Sequence, residues 1–202
     1  MSPTTYPAVT DRDVELVESC LNLLFAAGIT LAEDIEPADV EDAAADDLAT
    51  FRAFPMTTVA GLNDPDGAPL IRGAVVSSAE IAQTPESPAA IMALVERFAG
   101  AAGAQASDVA VVPDPGSNGT TGSARVRFGE WDVTDIDFDF TATGEMRTFE
   151  LDVIAAALPF DAAAATFSTP DGRDVTLFIP AGANDEAVDA LLEVIDAEFA
   201  GS

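Results

Sequence analysis

Residues 125–140 read "RVRFGEWDVTDIDFDF", two runs of alternating polar and apolar side chains joined by Gly129 and Glu130. A two-residue turn with Gly first suits a β-hairpin, so the stretch predicts an antiparallel pair. That turn sets Phe128 opposite Trp131, Arg127 opposite Asp132 and Val126 opposite Val133. Carried onward, the alternation sends Asp135 inward and Ile136 outward, so a bulge near Thr134 and Asp135 is expected to restore the apolar register. Beyond it, Asp135, Asp137 and Asp139 share one face, and Ile136, Phe138 and Phe140 share the other.

The next segment, "MRTFELDV" at 146–153, alternates in the same way and predicts a further strand. Its register sets Asp137 beside Glu150 and Asp135 beside Asp152. Residues 123–153 therefore read as a β-meander with an acidic outer face, relieved at one side by Arg125 and Arg127. The candidate partner-binding residues are Asp135, Asp137, Asp139, Glu150 and Asp152.

Helical signals flank this centre. Thr10 caps a first helix with Asp13 at its third position, and Val14, Val17, Leu21, Leu24 and Phe25 recur until Gly28. A second helix starts at Pro37, with Val40, Ala44, Leu48 and Phe51 on its apolar face. A third runs from Ser87 and Pro88 through Ile91, Leu94, Val95 and Phe98, and a last one carries Val188, Leu191, Leu192, Ile195 and Phe199. Two Pro-Asp-Gly turns, at 65–67 and 170–172, read as hairpin tips, each with a helix to follow. Hairpin then helix thus occurs twice, suggesting divergent pseudo-repeats at about 54–101 and 160–201 within one compact domain, 1–202. The Gly-rich stretch at 113–123 precedes a strand and has no Lys, so it reads as a surface loop rather than a phosphate loop. The expected class is α+β, mainly antiparallel, with two N-terminal helices.

Composition narrows the chemistry. The 202 residues carry 36 acids against 8 bases, a formal charge of -28, yet 49% are hydrophobic, enough for a substantial core. Every base is arginine, and Lys and His do not occur. The usual neutral-pH general base, the Schiff-base amine and the commonest transition-metal ligand are therefore missing. Cys20, the lone cysteine, sits in the apolar run "VESCLNLLFAA" and reads as a buried structural thiol. Catalysis by a pair of carboxylates needs only a suitable separation, which some pair among 36 acids will always meet; no motif singles one out, and no catalytic residue is assigned. No metal ligand or cofactor is assigned either, because acids at strand spacing diverge and no calcium-loop pattern appears.

Four readings of the acidic face follow: a solvated surface, a docking face for an Arg/Lys-rich protein, a nucleic-acid mimic, or a hard-cation site. The charge opposes direct binding to nucleic acid and to anionic membranes. The start of the chain lacks a basic, apolar leader pattern, and a soluble cytoplasmic protein is expected, with no oligomeric state specified. The preferred expectation is a non-enzymatic acidic module that docks a basic partner protein, in the manner of an immunity protein, an inhibitor or a secretion chaperone. The alternative is a small enzyme or divalent-cation-binding protein of a salt-adapted or compositionally biased organism, its acidity being background.

Overall fold

A computed structural model describes residues 8–77, 88–130, 132–141, 145–158, 162–169 and 172–200. In chain order the elements are α1 (Asp11–Ala26), α2 (Pro37–Ala45), α3 (Leu48–Ala53), α4 (Pro55–Ala60), β1 (Ala74–Ser77), α5 (Pro88–Ala101), β2 (Ala106–Pro113), β3 (Thr121–Phe128), β4 (Val133–Asp139), α6 (Glu145–Ala157), β5 (Ala163–Ser168), β6 (Asp174–Ile179) and α7 (Asp185–Ala200). The fold is α+β. Its strands form two antiparallel three-stranded sheets, ordered β1-β6-β5 and β2-β3-β4.

Strand β6 explains the layering. All five residues from Val175 to Ile179 are buried, so both faces of its sheet need a cover. Val175, Leu177 and Ile179 join Ala74 in one core with Val17, Leu21 and Leu24 of α1, Met56 and Val59 of α4, and Leu191 and Ile195 of α7. Phe178 and Val75 join the other, with Ile91, Leu94, Val95 and Phe98 of α5. Helix α5 also packs on β2 and β3, and α6 packs on β4, so the second sheet lies across these two helices. Phe98 meets Phe178 edge-on at 6.4 Å between ring centres, a direct link between α5 and the first sheet.

The helix ends follow local chemistry. Asp13 accepts from the Thr10 backbone N–H and hydroxyl, completing a capping box, while Gly28 ends the α1 turn with φ 78. Glu36 and Asp39 form a second capping box that spans Pro37, the first residue of α2. The helix expected to run from Pro37 through Phe51 breaks after Ala45; Asp47 accepts from the Thr50 N–H and starts α3. Val40, Ala44, Leu48 and Phe51 are nevertheless all buried as expected. Asp13 also takes Nε and Nη2 of Arg52, each at 2.7 Å, joining α1 to α3. The Arg52 guanidinium, with Thr10, holds the buried Asp13 carboxyl well below the usual carboxylate range.

Two segments expected as strands are helices. Residues 55–60 form α4 because Pro55 opens the turn and the Glu198 carboxylate, from the far end of the chain, accepts the N–H groups of Met56 (2.6 Å) and Thr57 (3.0 Å). The Pro-Asp-Gly turn at 65–67 therefore closes only the isolated bridge between Asn63 and Pro69. Residues 145–157 form α6, whose buried Phe149, Glu150, Val153, Ile154 and Ala157 follow helical spacing. The alternation over 146–153 misleads because it stops before Ile154 and Ala157; Leu151 is 47% exposed. Cys20 is buried in the first core, and burial, reinforced by the nearby Glu198 charge, pushes its thiol up to about 12.

Phe98→Ala is expected to cost about 3–5 kcal/mol in chemical denaturation, since the ring fills the space between the sheets. Asp13→Asn tests the α1–α3 tie through pH. Its folded carboxyl lies below the ordinary 3.8, so its contribution is present above that value and lost as the pH falls further. The variant should be less stable at neutral pH and show a shallower loss of stability below pH 3.8.

Candidate functional site: the outer face of the second sheet

Helices α5 and α6 cover one face of the β2-β3-β4 sheet. Gly122, Ala124, Val126 and Phe128 of β3 and Ile136 and Phe138 of β4 point into that core. The opposite face carries three of the candidate residues, Asp135, Asp137 and Asp139.

Its hairpin is offset by one residue from the predicted pairing. Arg127 lies opposite Val133, Val126 opposite Thr134, Arg125 opposite Asp135 and Ala124 opposite Ile136, without interruption to Thr121 and Asp139. The connection is one residue longer than a two-residue turn. That extra residue brings Ile136 and Phe138 inward, so the bulge predicted near Thr134 and Asp135 is not needed. Val133, expected inside, is 40% exposed. Trp131, placed opposite Phe128 by the sequence reading, lies outside the described residues. The sheet's irregularity falls in β2, between Ser107 and Ala110, where Asp108 has φ 54.

The outer face is a small grid. Ala110, Arg125 and Asp135 form one row across the strands; Val112, Ser123 and Asp137 form the next; Ser107, Arg127 and Val133 lie on the other side. Arg125 donates from Nε to Asp135 Oδ1 at 2.8 Å and from Nη2 to Oδ2 at 3.1 Å, which lowers the Asp135 pKa from its ordinary value. Arg127 donates from Nε to Asp108 Oδ2 at 3.1 Å. Asp139 accepts from the Thr141 hydroxyl (2.6 Å) and N–H (2.9 Å), and these hydrogen bonds lower its pKa too. Asp137 has no ion-pair partner among the described residues. Asp108, Asp135, Asp137 and Asp139 stand against Arg125 and Arg127, so the face keeps an excess of negative charge.

Asp135, Asp137 and Asp139 are brought together as expected. Glu150 and Asp152 are not beside them: both belong to α6, on the other side of β4. Glu150 is only 5% exposed, between α6 and α5, where its charge acts on Arg97. Asp152 is exposed on the helix. The cross-strand Arg125–Asp135 and Arg127–Asp108 pairs were not anticipated; the first needed the longer hairpin connection and the second the β2 bulge. Among the described residues no three Asp, Glu or Cys side chains form a group suited to a metal ion.

Gly122 makes the close approach of the strands feasible. A Cβ there would collide with the Val112 carbonyl oxygen, lie 2.8 Å from Pro113 Cα and 2.9 Å from Phe138 Cζ. Two of these contacts are backbone, which cannot yield as a side-chain tip can.

The class defined by this architecture is an α+β protein with two antiparallel sheets and an acidic open sheet face. The chain matches no known protein family, and comparison with curated proteins and with solved structures finds no match. No helix among the described residues is long and apolar enough to cross a membrane.

Gly122→Ala should destabilise the protein by about 1–3 kcal/mol, read by denaturant unfolding, through overpacking between β2 and β3. Arg125→Gln should raise the Asp135 carboxyl toward its ordinary pKa, followed by carboxyl NMR, with little change in stability because the pair is solvent-exposed.

Proposed function

We propose that the protein is a non-enzymatic binding module whose outer β2-β3-β4 face docks a basic partner protein. The observation that carries the reading is the row of Asp135, Asp137 and Asp139 along one strand, of which, among the described residues, only Asp135 is paired with an arginine. Alternate strand positions lie roughly 6.8 Å apart, so an extended or helical array of Arg and Lys side chains can meet successive carboxylates. Val112 and Val133, 56% and 40% exposed, add apolar contact area at the margins. The negative potential speeds encounter with a cation-rich surface, and charge complementarity sets its orientation. Immunity proteins, inhibitors and secretion chaperones are physical analogies of size and charge for such a module.

A second reading, acidity as the background of a salt-adapted enzyme or cation-binding protein, draws support from the spread of exposed acids over α1, α2 and α7. Site and background separate in one comparison. Asp135, Asp137 and Asp139 changed together to Asn should slow association with a basic partner captured from the native organism by about tenfold at low salt and flatten its salt dependence. Changing Glu41 and Asp42 of α2 and Asp46 at its C-terminal end to their amides removes equal charge elsewhere and should have a much smaller effect. Equal effects of the two variants, measured by stopped-flow association, would assign the attraction to net charge and remove the face as the site.

A further inference from the structure

Two three-stranded sheets have four edge strands, and an edge strand offers unpaired N–H and C=O groups to any extended chain. Three of these edges are guarded. On β4 the groups facing away from β3 belong to Val133, Asp135, Asp137 and Asp139, since Phe140 N–H bonds Thr120 and the antiparallel alternation follows from that pair. Three acidic side chains line that edge. On β2 the bulge at Asp108 breaks the edge, and Pro113, at an outward position, has no N–H to offer. Strand β1 is four residues long, and the N–H of Ala74, one of its two outward residues, bonds the Ile71 carbonyl.

The fourth edge, β5, has no such device. Thr169 N–H bonds the Arg173 carbonyl, so Phe167, Ala165 and Ala163 bond β6, while Ala164, Thr166 and Ser168 turn their N–H and C=O outward. The β1 side agrees: Phe178 N–H bonds Gly73, which assigns the alternate β6 residues to β1. Residues 162–169, "AAAATFST", contain no charge, no proline and no glycine, and the β5–β6 register is unbroken. Among the described residues nothing pairs with this edge.

We propose that β5 is the pairing edge for a second copy of this chain, joining two β1-β6-β5 sheets into one six-stranded antiparallel sheet across a two-fold axis. The edge is self-complementary. With Thr166 on the axis, Thr166 faces Thr166 of the second copy and Ala164 faces Ser168, and about six hydrogen bonds form between outward groups. On the other face of the strand Ala165 lies against Phe167 of the second copy, small against large, with no like charges opposed. A second copy is favoured over an acidic or basic peptide because the edge has no charge for either to read. Each copy brings a net charge of -28, so pairing is resisted at long range and strengthened as salt screens it. The inference is independent of the acidic face, which lies on the other sheet.

Sedimentation equilibrium on the full chain, from about 1 to about 100 µM, is the test. The mass should rise from 20.8 kDa toward twice that value, and the dimer should tighten at least tenfold between about 0.15 and about 1 M KCl. Ala164→Pro removes one outward N–H without deleting a β5–β6 hydrogen bond, and Thr166→Pro removes another with every β5–β6 backbone hydrogen bond kept but the Thr166–Thr176 hydroxyl pair lost; each should weaken the dimer by about a hundredfold. Concentration-dependent hydrogen exchange on the unaltered protein provides a readout that needs no variant: the amides of Ala164, Thr166 and Ser168 should gain protection, and those of Asp135, Asp137 and Asp139 should not. A monomer throughout this range, a dimer unchanged in both proline variants, or protection that leaves the three β5 amides unaffected would overturn the proposal.

Discussion

Burial of β6 on both faces is the constraint from which the other layers follow. A three-stranded sheet with a central strand reading Val175-Thr176-Leu177-Phe178-Ile179 cannot leave either side to water without exposing large apolar side chains. Helices α1, α4 and α7 supply one cover and α5 the other. Because α5 is apolar toward Phe178 and also toward Ala124 and Val126, it needs a second sheet on its far side, and the β2-β3-β4 sheet fills that role. The acidic face is consequently the outermost layer. Only one side of that sheet has a core to meet, which leaves the other side free for charge. Even the one polar side chain in the middle of β6 is matched within the sheet: Thr176 and Thr166 share a hydroxyl hydrogen bond at 3.1 Å.

Much of this was legible in the sequence where local chemistry decides the outcome. Thr10 with Asp13, Pro37, Pro88 and the apolar positions of α1, α5 and α7 signal their helices through caps and a period near 3.6. The failures share a physical cause, which is information held elsewhere in the chain. Helix α4 depends on the Glu198 carboxylate brought in by α7, and nothing near residue 55 announces that partner. In α6 the run Phe149, Leu151, Val153 fits a strand, and only the packing of Phe149 against Phe138 and Phe140 selects the helical face. For the site itself, the three Asp residues of β4 could be read together because strand alternation alone groups them. Glu150 and Asp152 could not, since their placement depended on the misread element.

The hairpin from β3 to β4 shows how sensitive such a reading is to one residue. A two-residue turn and a longer one differ by a single position, yet the difference reverses which side chains of β4 face the core. The chain resolves the conflict in the connection, where an added residue is accommodated without disturbing the ladder. A bulge inside β4 would also have restored the apolar register, but by breaking hydrogen bonds in the strand that carries Phe138. With the uninterrupted register, Arg125 lies directly across from Asp135, and a column that would otherwise be wholly acidic gains a local counter-charge.

Acidic residues in this protein have several distinct structural uses, and the surplus becomes meaningful only after those are set aside. Asp13, Asp39 and Asp47 satisfy helix N-termini, Glu198 does so across the molecule, and Asp64 and Asp139 accept turn N–H groups. At helix starts a carboxylate also meets the positive end of the helix dipole, so these sites gain from charge where a surface cluster would lose. On β4 the logic is different. The same carboxylates that make the outer face attractive to cations also discourage another acidic strand from adding to that edge, because an incoming copy would oppose like charges at every second residue. A row of aspartates on an edge strand therefore acts in two directions at once: it repels further copies of the chain and presents an ordered line of charge to basic groups. The charge-free β5 has neither property, so the two sheets present opposite electrostatic behaviour at their open edges.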